Sequence, residues 1–113
     1  MHDSTSLMPI LSTPDADPAA MVAVSFLAQF PNPNTRAAYT TDLRIFFAWA
    51  EQINVHPLAM KRVHLQAFAS YLATDRRNAP ASVSRRVGTI SGYYETAVLD
   101  EVLEHSPCHH LKL

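Results

Sequence analysis

The sequence predicts an all-α fold, a bundle of four to five helices in one domain. The apolar periodicity is helical throughout the chain. The 113 residues include only two glycines, too few for a sheet protein built on tight turns. Its eight prolines gather in the N-terminal third and at the expected helix joints. A chain of this length can bury a core without disulfides.

The segment from Asn34 to Ala50 carries the clearest helical pattern. Its apolar residues follow at steps of four, three, one and three, which places them on one face of a helix. We expect Asn34 to cap this helix, because its short polar side chain can accept hydrogen bonds from the first amides. Pro33 disfavours helix at Asn32, and the helix should end near residue 53 or 54. The apolar face consists of Tyr39, Leu43, Phe46, Phe47 and Ala50.

Three further helices are expected around this one. The first opens with Asp17 as a cap and Pro18 at the first helical position, and runs to about Phe30. The third spans about Arg62 to Arg77, and the fourth runs from Ser82 to Leu99. Residues 102–103 allow a short final turn. Short joints between four helices predict antiparallel, bundle-like packing.

The charge is unevenly distributed, although the net charge is only −1. Residues 34–95 hold eight Lys or Arg against four acids, a net +4, whereas residues 1–33 carry −3 and residues 96–113 carry −2. A basic centre between acidic ends is typical of a protein that binds a polyanion. Many ordinary domains also carry a charge of this size, so the pattern leaves both interpretations open.

Composition excludes several other classes of protein. The single cysteine rules out an internal disulfide and suits a reducing cytoplasm, where we expect the protein to act. No apolar run approaches the roughly 20 residues that cross a bilayer, and a secretory signal pattern is missing. The group of His105, Cys108, His109 and His110 lacks the separated pairs of a structural zinc site. We therefore expect neither a metal nor a cofactor, and no catalytic constellation supports a free-standing enzyme.

Arginine and hydroxyl side chains gather on the polar faces of the second and fourth predicted helices. On the fourth helix they are spaced four residues apart, which places them in adjacent rows of one outward surface. Such groups bind phosphates, and arginine also reads guanine. An ordinary solvated surface, with Ser82 as a helix cap, is the open alternative. Gly88 and Gly92 each cost about 1 kcal/mol in a helix, which indicates close approach of a neighbouring helix or a nucleic-acid strand.

Two separated motifs resemble one known family. Asn34–Trp49 is similar to N-T-x-x-x-Y-x-x-D-L-x-x-F-x-x-W, which opens the core-binding domain of the tyrosine recombinases, or phage-integrase family. Pro80–Val98 is similar to the family's helix P-A-T-I-x-R-R-L-S-T-I-x-x-F-Y-x-x-A-V, and Glu104–Cys108 to the exit towards the catalytic domain. The resemblance covers roughly residues 20–113. It implies a SAM-like core-binding domain at residues 18–105, after a flexible arm at 1–17, and the start of a linker to an absent catalytic domain at 106–113.

The resemblance also implies a function. The domain would clamp duplex DNA during site-specific DNA recombination and integration, without catalytic residues of its own. Its partners would be double-stranded DNA at a recombination core site and other recombinase protomers, with no membrane or small-molecule substrate. Tyr39 and Tyr94 lack the surroundings of the family's nucleophile and are expected in the core. The residues implied at the DNA are Thr35, Arg36, Ser82, Arg85, Arg86 and Thr89, with Arg44 as a weaker phosphate contact.

A function of a different class stays open from the sequence. A helical protein–protein adaptor without a DNA role would use the apolar residues of the first helix as its working surface. Recombinases also assemble through this domain, so DNA binding is what separates the two hypotheses. The adaptor surface would consist of Met21, Val24, Phe26 and Leu27.

Overall fold

The computed structural model of the chain describes residues 17–113. Four α-helices follow one another, and a short 3-10 turn, Pro57–Ala59, precedes the third of them. Residues 17–113 contain no strand, so the predicted all-α fold is confirmed. No helix in this range is long and apolar enough to cross a membrane. The helices are α1 Pro18–Leu27, α2 Pro33–Gln52, α3 Arg62–Thr74 and α4 Pro80–Leu99.

Proline and a capping side chain set the starts of α1 and α2. Asp17 caps α1 as predicted, because its Oδ1 accepts a hydrogen bond from the amide of Ala19 at 3.0 Å. For α2 the predicted cap is wrong: Asn32, not Asn34, accepts hydrogen bonds from the amides that follow Pro33. The residue before a proline is extended, which suits a cap, and proline itself fits the first helical position. The predicted arm lies outside the described residues except for Asp17.

The start of α4 also differs from the prediction. It begins at Pro80, two residues before Ser82, so Ser82 does not cap the helix. The cap position is Ala79, whose side chain has no acceptor. Because Pro80 has no N–H, the next two amides are the donors left without a capping side chain at this end. Such a helix end favours negative charge.

Two helices end earlier than the sequence predicts. α1 ends at Leu27 and α3 at Thr74, each three residues before the expected end. In the loop after α3, Arg77 has a left-handed backbone with φ of 55°, a conformation that a right-handed helix cannot include. α2 ends close to its predicted end, and Asn54, with φ of 56°, supplies the left-handed residue just beyond it.

α4 lies at the centre and packs against each of the other three helices. α2 and α4 run in the same direction, because their contacts advance together along both helices. Asp42 bonds to Thr89, and five residues further along α2, Phe47 packs against Tyr93 with ring centroids 5.6 Å apart. Alternate helices of a bundle with antiparallel neighbours run in parallel, so this pair is consistent with the predicted packing. The reason is that α3 returns the chain to the end where α2 begins.

Aromatic side chains from α2, α3 and α4 build the core. Phe46 packs edge-to-face against Phe68 at a centroid distance of 5.0 Å and against Tyr94 at 6.1 Å. All three rings are fully buried, and Trp49 is buried beside them. Tyr39 is half-buried against the same cluster. The expectation that Tyr39 and Tyr94 are core residues is confirmed.

The apolar residues of α1 face mostly inward. Val24 and Phe26 are buried and Leu27 is half-buried, which leaves Met21 as the exposed member of the proposed adaptor surface. The predicted adaptor surface is therefore wrong at Val24 and Phe26, which are not exposed. The Phe26 ring packs against Gly92 of α4, and the buried Tyr93 hydroxyl joins the two helices by donating to the α1 backbone.

The residues that follow α4 fold back onto the domain. Ser106 and Cys108 are buried. Gln66 of α3 exchanges two hydrogen bonds with the backbone of Lys112, one through its amide nitrogen and one through its oxygen. The interpretation of residues 106–113 as the start of a linker stays a prediction.

The two glycines of α4 have different surroundings. A Cβ added at Gly92 would lie 2.8 Å from Cε1 of Phe26, so the close approach expected there is made by the neighbouring helix α1. A Cβ added at Gly88 would meet no described atom within 4 Å. The close approach expected at Gly88 is therefore not provided by residues 17–113.

This difference predicts opposite effects of alanine at the two positions. Gly88→Ala should raise the free energy of unfolding by about 0.5–1 kcal/mol, because alanine is the better helix residue and the space is open. Gly92→Ala should lower it by about 1–2 kcal/mol, because the Phe26 ring must shift within a packed cluster. Urea unfolding of both variants measures the difference. Equal stabilisation by both would contradict the close α1–α4 contact.

Cys108 should react slowly while the protein is folded. Burial, assisted by the Glu95 carboxylate, raises the pKa of its thiol from 9.0 to about 12, so the thiolate fraction at pH 8 falls by about 1,000-fold. Labelling with a chromogenic disulfide should be slow in native buffer and fast in denaturant.

The same burial makes stability depend on pH. Since the pKa of the Cys108 thiol is higher in the folded than in the unfolded protein, the contribution of this thiol to stability is present below pH 9 and is lost as the pH rises towards 12. Cys108→Ala should flatten that part of the stability profile, and rapid native labelling would contradict the burial.

Candidate nucleic-acid interface

A buried carboxylate joins α2 to α4. Asp42, only 1% exposed, lies on the side of α2 that faces α4. Its Oδ2 accepts hydrogen bonds from the Thr89 hydroxyl at 2.8 Å and from Nη1 of Arg85 at 2.8 Å. Its Oδ1 accepts from Nη2 of Arg85 at 3.2 Å, and Nε of Arg86 lies 3.7 Å away. Burying a carboxylate costs free energy unless it is paired and hydrogen-bonded, and these contacts meet that requirement.

Three of the predicted DNA-binding residues therefore meet at Asp42. The Arg85 side chain is 49% exposed and the Arg86 side chain 20% exposed. Thr89 is 5% exposed, so its predicted position on the outward surface is wrong. The physical reason is that its hydroxyl turns inward to donate to the carboxylate. Thr89 supports the cluster from inside.

Thr35 and Ser82 lie at one end of the groove between α2 and α4. Each stands seven residues before the contact that joins the two helices, Thr35 before Asp42 and Ser82 before Thr89. Seven residues are two helical turns, so each lies within about 20° of its partner on the helix circumference. Both side chains are half-buried. Both residues therefore lie two turns closer to the helix starts than the contact that joins Asp42 to Thr89.

Arg36 and Arg44 do not converge on this cluster. On the helical wheel Arg44 lies about 160° from Asp42, and Arg36 lies about 120° from it. Both side chains are exposed. Arg36 folds back towards the α1–α2 joint, where its Nη1 donates to the carbonyl of Phe30 at 3.1 Å. Their assignment to DNA stays a prediction.

Positively charged hydrogen-bond donors remain near Asp42 after it has paired with Arg85. Asp42 balances one of the two arginine charges. The Nε and Nη1 atoms of Arg86 are buried without a hydrogen-bond partner among the described residues, since 3.7 Å to the carboxylate is too long for a hydrogen bond. The N-terminal amides of α4 lie on the same helix, less than two turns before Arg86. The arrangement can attract an anion through charge, guanidinium donors and backbone amides.

Sequence reasoning missed Asp42 and two further arginines. The signal for Asp42 was its place in the apolar stripe, three residues after Tyr39 and four before Phe46, where an acid is expected to be buried with a partner. Arg76 and Arg77 are exposed on the loop that leads into α4. They add positive charge at the same end of the molecule.

Two cavities lie away from the Asp42 cluster. One of about 390 Å³ lies beside His56, whose Nε2 pairs with Asp17 at 3.0 Å and whose Nδ1 accepts from the amide of Leu58. Burial raises the pKa of Asp17, but hydrogen bonds from the Ala19 amide and from His56 outweigh this effect and hold the pKa below its usual value. The other, of about 420 Å³, lies between α3 and the start of α4. Among residues 17–113 no three His, Cys, Asp or Glu side chains are grouped to hold a metal ion.

The chain belongs to the family described as phage integrase, N-terminal SAM-like domain, whose model matches residues 27–104. This match confirms the resemblance carried by the two sequence motifs. It also confirms the SAM-like class of the fold.

Curated relatives agree with this assignment. A protein named Tyrosine recombinase XerC from Treponema denticola is 30% identical over 70 residues, which cover 62% of this chain and 23% of that protein. Another of the same name from Leptospira interrogans is 23% identical over 113 residues, which cover 98% of this chain and 36% of the relative. The chain thus spans between about a quarter and about a third of the length of these relatives. No solved structure matches it.

Asp42→Asn should lower the free energy of unfolding by about 3 kcal/mol, because Thr89 and Arg85 lose their anionic acceptor and Arg86 loses a nearby negative charge. Asp100→Asn provides the control, since Asp100 is exposed at the end of α4. That change should alter stability by less than about 0.5 kcal/mol. Thermal and urea unfolding measure both. Equal stabilities would show that the carboxylate does not hold α2 to α4.

Proposed function

We propose that this chain is the DNA-clamping domain of a site-specific tyrosine recombinase and acts in DNA recombination and integration. Family membership and the names of the relatives support the recombinase part. The observation that carries the DNA-binding part is the convergence of Arg85 and Arg86 on Asp42, less than two helical turns from the start of α4. Catalysis and assembly with other protomers are proposed for the full-length protein.

The physical argument rests on two parallel helix N-termini at one end of the molecule. Each N-terminus carries the positive end of a helix dipole, and anions are stabilised there. The start of α4 also lacks a capping side chain. Arg76, Arg77 and Arg86 add charge around it, while Asp42 balances the charge of Arg85. A DNA backbone supplies the phosphates that this combination favours.

The proposed contacts fall into three groups by their position. Thr35, Ser82, Arg85 and Arg86 form the central part, on the groove between the two helices. Arg36 and Arg44 are exposed on other sides of α2 and would contact phosphates at the margin. Thr89 acts from inside by holding Asp42. The proposed ligand is double-stranded DNA at a recombination core site, and the proposed location is the cytoplasm, on the nucleoid when bound.

Charge removal at the proposed face tests this function. Arg85→Gln with Arg86→Gln removes two charges while leaving amide donors for Asp42. The matched control is Lys61→Gln with Arg62→Gln at the start of α3. That region follows the turn whose Pro57 carbonyl accepts from the Tyr94 hydroxyl, about 20 Å along α4 from Pro80.

We expect the first double variant to bind duplex DNA about tenfold or more weakly at low salt, with a shallower salt dependence, because direct contacts to the DNA and positive charge are lost. The control should bind nearly as well as wild type. Fluorescence anisotropy at several salt concentrations measures both, with circular dichroism to verify folding. Equal losses in the two variants would point to a diffuse charge effect. Absence of wild-type binding at low salt would refute the DNA-binding function.

A further inference from the structure

Asp42 holds Arg85 in one orientation. Nη1 and Nη2 of Arg85 donate to the two carboxylate oxygens at 2.8 and 3.2 Å, a paired contact that uses the outer end of the planar guanidinium. The carboxylate itself cannot turn away, because it is buried and the Thr89 hydroxyl bonds to Oδ2 at 2.8 Å. An exposed arginine normally samples many rotamers, and this one is restrained.

The pairing leaves a second edge of the guanidinium free. Arginine has five N–H donors on a rigid fork, and Asp42 uses two of them. The Nε–H and a neighbouring terminal N–H form another pair of nearly parallel donors. Neither is bonded to any residue in the described range, and the side chain is 49% exposed. This edge matches a partner with two adjacent acceptors.

We propose that Asp42 is a positioning residue that makes Arg85 a reader of guanine. Guanine presents O6 and N7 side by side in the major groove, and a bidentate arginine is its commonest specific contact. The proposal rests on the DNA-binding function proposed above. It adds a base-reading role for one arginine and a supporting role for a buried acid.

Charge explains why a base is favoured over a phosphate. The Asp42 carboxylate balances the charge of Arg85, so the pair contributes little to attraction by phosphates along any DNA. The free edge of the Arg85 guanidinium keeps a fixed direction. It therefore favours a partner whose two acceptors match the spacing of its donors. Asp42 therefore lowers the affinity for DNA of any sequence and raises the preference for guanine.

The test uses the 113-residue chain with two duplex probes. One is a library with a randomised centre, in which sequencing of bound and unbound fractions gives the base preference at each position. The other contains only A·T pairs and therefore presents no guanine. Wild type should enrich a G·C pair at one library position by about tenfold or more.

Asp42→Asn should abolish this enrichment while binding to the A·T duplex becomes tighter and its salt dependence steeper by about one unit of slope, because the charge of Arg85 is released. A purely structural role of Asp42 would weaken binding to both probes together. Arg85→Lys provides a second variant that keeps the buried acid paired. It should lose the guanine preference, because an ammonium is a point charge without a paired edge.

The outcomes separate the two proposals. Guanine enrichment that persists in Asp42→Asn and Arg85→Lys overturns the inference, as does a parallel loss of binding to both probes in Asp42→Asn. Wild type that binds both probes without enriching a G·C pair also overturns it and makes Arg85 a phosphate contact. In each of these cases DNA binding stands. Wild type that binds neither probe refutes the DNA-binding function itself.

Discussion

The contact between the Asp42 carboxylate and α4 sets the geometry on which the other features depend. It fixes the register of two parallel helices. Asp42 of α2 bonds to Thr89 of α4, and five residues further along α2 Phe47 packs against Tyr93 of α4. Both helices begin at the same end of the molecule. The Asp42 contact also determines how Arg85 is presented there.

A buried ion pair gives little net stability compared with apolar side chains that fill the same space. An apolar residue at position 42 would continue the stripe that Leu43 and Phe46 belong to and would pack in the core. The presence of an acid is explained by the groups that it orients, since one carboxylate restrains one arginine and lies close to another. The core and the proposed DNA surface are thus built from the same contact, and a change at Asp42 affects both.

The sequence was sufficient for the fold class, because the apolar period of α2 and α4 specifies helices and proline marks their joints. The sequence misplaces the starts of α2 and α4, because a proline can either precede a helix or occupy its first position, as Pro33 and Pro80 do. It placed Thr89 outside, because spacing shows which residues share a helix face but not which neighbour covers that face. The role of Asp42 required the partner helix, since an acid in an apolar stripe predicts burial but does not identify the bonded group.

The most direct test of the account is an NMR titration of the labelled chain with a short DNA duplex. The account predicts that the largest shifts occur at the backbone amides of Thr35 and Ser82 and at the Nε–H of Arg85. Shifts concentrated around Lys61 at the start of α3, with these signals unchanged, would contradict it.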